Sequence, residues 1–282
     1  MDITKKAMLV RLSVSQWSAR RLDQAASREV IESHGAVPDS GRFNKLLVDL
    51  AAVKRYQKAS SEARVYHYAQ TLPWGDDDSR ILPASNYLNY TSRMREFRAA
   101  FEAAVAEFIG EYPALIGRAS RDLNGLFKAS DYPAADDLKD KFAFSVSVDP
   151  VPAADDFRVS LSEDEAAVVR ADIEARVRVS INEAMADAWG RMFRAVKHLS
   201  DRLHDSDAIF RDSLIGNIKE LCDVLPRLNL TDDPALAAVI GEAQASLASL
   251  DPDSLRKRPL DRAAAARDAD AILSKMAGYC GE

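Results

Sequence analysis

The sequence is poor in residues that break helices or cross-link small folds. Its 282 residues include only 11 glycines, 11 prolines and 2 cysteines. Two cysteines are too few for a disulfide framework, and they indicate a reduced, cytosolic compartment. No apolar stretch approaches the roughly 18 residues that a membrane-spanning helix needs. The N-terminal segment alternates apolar and polar residues, which is typical of a strand and not of a signal peptide.

The chain is instead rich in alanine and in apolar residues, which make up 47% of it. This excess of helix formers over helix breakers predicts a mainly α-helical protein. The formal net charge is −6, but it is unevenly distributed. Residues 1–72 carry twelve Lys and Arg against seven Asp and Glu, whereas the rest of the chain is acidic.

Three short segments have the alternating pattern of strands. They cover about residues 8–15, 142–148 and 157–161. The last two are separated by the turn-rich DPVPAADD, which predicts an antiparallel hairpin that the first strand joins. We therefore expect a three-stranded antiparallel sheet whose apolar face is covered by helices.

Most of the remaining chain has the apolar spacing of helices. Segment 163–204 is predicted to be the longest helix, and its apolar row drifts around the axis, so its two halves should face different neighbours. A seam with spacings of three and four runs through 87–112, typical of a bundle or coiled coil, and Pro113 is expected to end it. The other predicted helices are 18–33, 42–71, 114–129, 134–141, 208–228, 234–250 and 260–278.

Together these segments predict a mainly α fold, an elongated bundle or coiled coil of long helices with the small three-stranded sheet. We expect two domains. Residues 1–205 would form the long-helix bundle with the sheet, and residues 206–282 a C-terminal helical subdomain. Segment 72–85, with two prolines, a glycine and three consecutive aspartates, is predicted to be a loop.

No catalytic motif is recognisable in the sequence. It has no glycine-rich phosphate loop, no nucleophile elbow and no Cys-X-X-Cys. His198 and His204 are six residues apart and so lie on different sides of a helix, which makes them a poor metal pair. Asp76–Asp78 lacks the alternating ligand spacing of a calcium loop. We therefore expect no catalytic residues, no cofactor, no metal site and no enzymatic activity.

The basic N-terminal third is a candidate binding surface for phosphate or an acidic partner. The simpler interpretation, which we favour, is that its cations are the solvated faces of helices or contact the chain's own acidic middle. Trp74 lies in an aromatic-rich stretch that could stack on the bases of single-stranded nucleic acid or pack the end of a helical hairpin. The candidate contacts for nucleic acid or a partner are Arg20, Arg21, Arg28, Lys54, Arg55 and Trp74.

A resemblance is carried by Trp17 and by three stretches, LPWGDDDSRILPASNYLNY (72–90), LFKASDYP (126–133) and DPVPAADDFRV (149–159). They resemble an uncharacterised protein family of proteobacterial phages and prophages, over roughly residues 5–200. Members of that family are often encoded near a MoxR-type ATPase and a protein with a von Willebrand factor A domain. The resemblance implies an adaptor role in an ATPase-linked assembly and supplies no catalytic residues.

We therefore expect a phage-encoded interaction or adaptor protein in the cytoplasm of the host bacterial cell. The apolar surface of helices 87–112 and 163–204 favours a homo-oligomer that binds another phage or host protein, although the same surface could form an internal core. The alternative is a nucleic-acid-binding phage protein that coats or protects DNA through its basic N-terminal arm. The acidic net charge counts against this alternative. No membrane partner is expected.

Overall fold

The computed structural model describes residues 3–153, 163–205 and 210–280. The chain is mostly helical, with a small antiparallel sheet, and it divides into two compact units. Unit 1 consists of Met1–Arg11, Tyr68–Tyr90 and Ser147–Glu282, and unit 2 consists of Leu12–His67 and Thr91–Val146. The domain boundary predicted after residue 205 stays a prediction.

The helices and strands follow one another along the chain with short connections. The helices are α1 (Gln24–Ser33), α2 (Leu50–Gln70), α3 (Tyr87–Asp122), α4 (Ala135–Lys139), α5 (Glu163–His204), α6 (Ser213–Leu228), α7 (Pro234–Ser246), α8 (Pro252–Lys257) and α9 (Pro259–Cys280). The strands are β1 (Ala7–Ser15), β2 (Arg20–Leu22), β3 (Asn44–Leu46), β4 (Leu72–Pro73), β5 (Arg80–Pro83) and β6 (Ala143–Pro150).

The larger sheet has four strands in the order β4-β5-β1-β6. The strands predicted at 8–15 and 142–148 are confirmed as β1 and β6, while the predicted strand 157–161 lies outside the described residues. The prediction of three strands is wrong, because the segment expected to be a loop at 72–85 supplies β4 and β5. Ile81 lies opposite both Leu9 and Leu72 in antiparallel registers.

The reason for this difference is the burial of apolar residues on both sides of the turn. Leu72, Ile81 and Leu82 are each completely buried in unit 1. Gly75 and Asp78 take positive φ angles of 61° and 62°, and they turn the chain between β4 and β5. A pattern dominated by proline and aspartate therefore conceals a short hairpin.

A second, two-stranded sheet in unit 2 also interrupts predicted helices. β2 and β3 pair antiparallel, with Arg21 opposite Lys45, so the helices predicted at 18–33 and 42–71 begin too early. Ala19 has a φ of 55°, which is incompatible with a right-handed helix at that position. The helix begins only after Asp23, whose carboxylate accepts hydrogen bonds from the backbone N–H groups of Ala25 and Ala26.

Pro113 does not end the third helix, which runs on to Asp122. The helices predicted at 87–112 and 114–129 are therefore one helix that stops earlier. Proline removes one backbone hydrogen bond from a helix interior. Tyr112 and Leu115, on either side of it, are 2% and 1% exposed, and this burial in unit 2 holds both flanks in place.

The prediction for the longest helix is confirmed, since α5 runs from Glu163 to His204. In unit 1, α5 packs against α6 and α9, and α7 packs against both of these. Its C-terminal half supplies buried residues such as Met192, Val196 and Leu199 to the core of that unit. Cys222 of α6 is buried in the same core, and burial raises the pKa of its thiol to about 11.

Candidate functional site

The candidate contact residues are divided between the two units. In unit 2, the side chains of Arg20, Arg21, Arg28 and Lys54 are exposed. Trp74 belongs to unit 1, where it is only 7% exposed, so its ring offers little area for stacking on a base. The contact role of these residues stays a prediction.

Arg55, the remaining candidate, is held by two carboxylates of α3. It donates hydrogen bonds to Glu107 and Glu111, and Arg55 Nη1 lies 3.2 Å from Glu111 Oε1. The hydrogen bond with Glu111 raises the pKa of Arg55, and it lowers the pKa of the Glu111 carboxyl. The positive charge of Arg55 is therefore compensated within unit 2.

Two of the exposed candidates, Arg21 and Arg28, line the same groove in unit 2. The groove has a volume of about 630 Å³, and Lys128 contributes a third cation to its lining. Arg28 folds back along α1, since its Nε donates to the carbonyl oxygen of Gln24 at 3.4 Å. Three cations from β2, α1 and the segment after α3 thus border one depression at the start of α1.

Beneath the groove lies a buried lysine between two carboxylates. Lys45 has a side chain that is 2% exposed, and its Nζ lies 2.9 Å from Asp23 Oδ2 and 2.7 Å from Asp131 Oδ2. The same Nζ donates to the carbonyl oxygen of Leu126 at 2.7 Å. Asp131 Oδ2 accepts no hydrogen bond of regular geometry within the described residues, so charge attraction holds that contact.

The ion contacts shift the pKa values of this cluster. The hydrogen bond from Lys45, together with the N–H of Ala26, holds the pKa of Asp23 far below its usual range. Burial alone would lower the pKa of Lys45, but its contacts with Asp131 and Asp23 outweigh burial and raise it. Counted at their formal charges, Lys45, Asp23 and Asp131 together carry one net negative charge.

The exposed cations more than balance this negative charge. Lys128 Nζ lies 3.5 Å from Asp23 Oδ2, and Arg21 Nε lies 3.7 Å from Asp131 Oδ1. Their side chains are 53% and 63% exposed, so both heads also reach solvent. Counting Arg28, the groove and its floor carry a net charge of +2. The arrangement can attract and orient an anion. Among the described residues, those that line the groove include no Ser, Thr, Cys or His.

A second surface of interest is the N-terminal half of α5 in unit 1. Among residues 163–183 of α5, only Ala166 is buried, whereas nine buried residues follow between Ala184 and Leu203. Ile173 and Val177 remain partly exposed, and they line a depression of about 340 Å³ with residues of the β4–β5 hairpin.

The sequence indicated Lys45 only as one of the cations of the basic N-terminal third, and it did not indicate Asp23 or Lys128 as site residues. Asp23 carried a usable signal, because an aspartate before an apolar-periodic segment is a helix N-cap. Lys128 lies in one of the stretches that carry the family resemblance. The burial of Lys45 depends on the pairing of β2 with β3, which the sequence did not reveal.

Within the described residues, no group of three or more His, Cys, Asp or Glu side chains is arranged to hold a metal ion. None of the helices in that part of the chain is long and apolar enough to cross a membrane. No protein-family model, curated protein or solved structure matches the chain.

Proposed function

We propose that the protein is a non-enzymatic interaction protein that works through protein–protein contacts and associates with itself. The observation that carries this proposal is the N-terminal half of α5, whose apolar row is left partly exposed by the described residues of unit 1. The resemblance to phage proteins supports an adaptor role in the cytoplasm of a bacterial host, next to an ATPase-linked assembly.

The apolar row consists of residues that would normally be covered in a stable helix packing. Val169, Ile173, Val177 and Ile181 follow one another at intervals of four, and each is half-buried. Leu9 and Trp74 lie beside Ile173 and Val177 in the same depression. A second helix laid along this row would remove apolar surface from water, at about 25 cal/mol for each Å².

A second copy of the chain fits this surface by its charge pattern. Within the span of the row, Asp172 and Glu174 are followed by Arg176 and Arg178. When two copies of the row pair antiparallel, Arg176 and Arg178 of each helix lie opposite Glu174 and Asp172 of the other. Such a pairing is isologous, the commonest symmetry of soluble oligomers, and it resembles the predicted coiled coil.

Binding of nucleic acid through the basic N-terminal arm is the second candidate. Arg20, Arg21, Arg28 and Lys54 are exposed in unit 2, which favours it. The carboxylates that hold Arg55 reduce the available positive charge, so we rank it below self-association.

Self-association is tested by light scattering coupled to gel filtration at tens of micromolar protein. We expect the wild type to have at least twice the chain mass of 31.0 kDa. Ile173→Asp should give a monomer, because it places a charge in the middle of the apolar row. Val179→Asp is the matched control, since Val179 lies on the same helix and is 55% exposed. It should leave the oligomer intact.

Circular dichroism of both variants would show that the fold is kept. A wild type that is monomeric at these concentrations would contradict self-association. Dissociation by Val179→Asp but not by Ile173→Asp would show that a different face of α5 forms the contact.

A further inference from the structure

The groove of unit 2 has a buried floor and a solvent-exposed, positive rim. Its floor is the buried ion cluster of Lys45, Asp23 and Asp131, whose members are 2%, 3% and 12% exposed. Asp23 also caps α1 through two backbone N–H groups. These contacts hold the floor rigidly, so its position does not depend on an incoming ligand.

The carboxylates of the floor do not cancel the positive rim. Each of them is in contact with Lys45 at less than 3 Å, and that lysine lies on the buried side. Arg21, Arg28 and Lys128 therefore face the groove with more positive charge than the floor can neutralise. When the long side chains of Arg21 and Lys128 turn towards an anion, both carboxylates keep their contact with Lys45, and the cluster retains one net negative charge.

We propose that this groove is a binding site for a phosphate group. The site lies in unit 2, so it goes beyond self-association through α5 of unit 1.

Phosphate fits the rim better than a carboxylate does. The guanidinium groups of Arg21 and Arg28 can each donate paired hydrogen bonds to oxygens of one phosphate. The ammonium group of Lys128 is a third donor, which approaches from another side. The tetrahedral oxygens of phosphate accept from several directions at once, whereas a carboxylate is planar.

The volume of about 630 Å³ exceeds that of a single phosphate ion, so the phosphate would belong to a larger molecule. Two sources have this chemistry, a small phosphate compound and the backbone of a nucleic acid. The binding chemistry is the same for both, and the experiment separates them.

The experiment measures binding by isothermal titration calorimetry, with inorganic pyrophosphate and with an oligodeoxythymidine of about 16 nucleotides as probes. We expect the full chain to bind at least one of them at low salt. Arg21→Gln, Arg28→Gln and Lys128→Gln should each weaken binding about tenfold. Lys141→Gln is the matched control, because it removes the same charge from an exposed position of unit 2 that lies outside both the groove and the basic N-terminal third. It should change the affinity less than about twofold.

The two probes distinguish the sources. Binding of pyrophosphate without the oligonucleotide indicates a small phosphate compound. Binding of the oligonucleotide, with displacement by pyrophosphate and a steep loss of affinity with salt, indicates a nucleic-acid backbone. The proposal is overturned if neither probe binds, or if the groove variants bind as tightly as the wild type. The variant Ile173→Asp should bind the probes as tightly as the wild type does. Failure of self-association and failure of this site are therefore distinguishable.

Discussion

The cores of the two units are built from different side chains. In unit 2, Phe108 contacts four other aromatic rings, with centroid distances of 5.2 to 6.1 Å. These neighbours are Trp17, Tyr56, Tyr112 and Phe142. The core of unit 1 consists mainly of aliphatic side chains, with buried alanines on both α5 and α9, which pack together.

The two cores also differ in the polar and charged side chains that they bury. In unit 2, the hydroxyl of Tyr56 donates to the carbonyl oxygen of Trp17 at 2.8 Å, and burial raises the pKa of that tyrosine. The ion cluster of Lys45 is buried as well. In unit 1, the contact between His204 and Asp270 is about half exposed. Unit 1 also has a buried hydrogen bond, from Asn86 Nδ2 to Gln70 Oε1 at 2.8 Å, but its core is formed mainly by packed helices, which tolerate changes of shape better.

The largest effect should come from the buried lysine of unit 2. Lys45→Met leaves the carboxylates of Asp23 and Asp131 without their shared cation. We expect the free energy of unfolding to fall by about 3 kcal/mol. Lys54→Met, at an exposed position, should change it by less than about 0.5 kcal/mol. Urea denaturation followed by circular dichroism measures both.

A further variant separates the effect of the unpaired carboxylate charges from the loss of the packing of Lys45. Adding Asp23→Asn and Asp131→Asn to Lys45→Met removes the unpaired charges, and asparagine still caps α1. The triple variant should recover part of the lost stability. A triple variant less stable than Lys45→Met alone would contradict the importance of the buried charges.

A smaller effect distinguishes the two cores directly. Phe108→Leu keeps an apolar side chain but removes the ring contacts and leaves a cavity, and it should cost about 2 kcal/mol. Met192→Leu in unit 1 conserves volume at an equally buried position and should cost about 1 kcal/mol or less. Thermal and urea unfolding of both variants provide the comparison. Equal costs would contradict the view that unit 1 is the more tolerant core.

The sequence could predict those parts of the fold that depend on local patterns of apolar residues. The helix at 163–204 and the strand at 8–15 follow from periodicity over many residues, and both are confirmed. The short ladders of β2 with β3 and of β4 with β5 contain two to four residues a strand, too few for a periodic signal. They form because distant segments meet, as when Arg21 comes to lie opposite Lys45.

The candidate groove could not be predicted from the sequence for the same reason. Arg21 and Arg28 were identified because the N-terminal third is basic, a local property of composition. Lys128 is a hundred residues further along and joins them only through the tertiary fold. The ion cluster combines Asp23, Lys45 and Asp131 from three separate segments. No spacing rule connects these residues, so sequence reasoning could not assemble the floor.

The smallest effect concerns the exposed polar contact of unit 1. Asp270 of α9 accepts a hydrogen bond from Ser200 Oγ at 2.6 Å and lies 2.9 Å from His204 Nε2, both on α5. The hydrogen bond from Ser200, followed by that of His204, lowers the pKa of Asp270. Because the carboxylate is favoured in the folded chain, its contribution to stability is present above the unfolded pKa near 3.9. It is lost as the pH falls through the lower folded pKa.

Asp270→Asn should therefore reduce the free energy of unfolding by about 0.5 to 1 kcal/mol at pH 7, the usual range for exposed ion contacts. The difference from the wild type should shrink below about pH 4, because protonation then removes the same charge from the wild type. Asp201→Asn, which affects only an exposed contact with Lys197 at 3.7 Å, is the control. It should have a smaller effect at every pH. A loss of several kcal/mol for Asp270→Asn would show that unit 1, like unit 2, depends on a directional polar contact, and the contrast between the two cores would then fail.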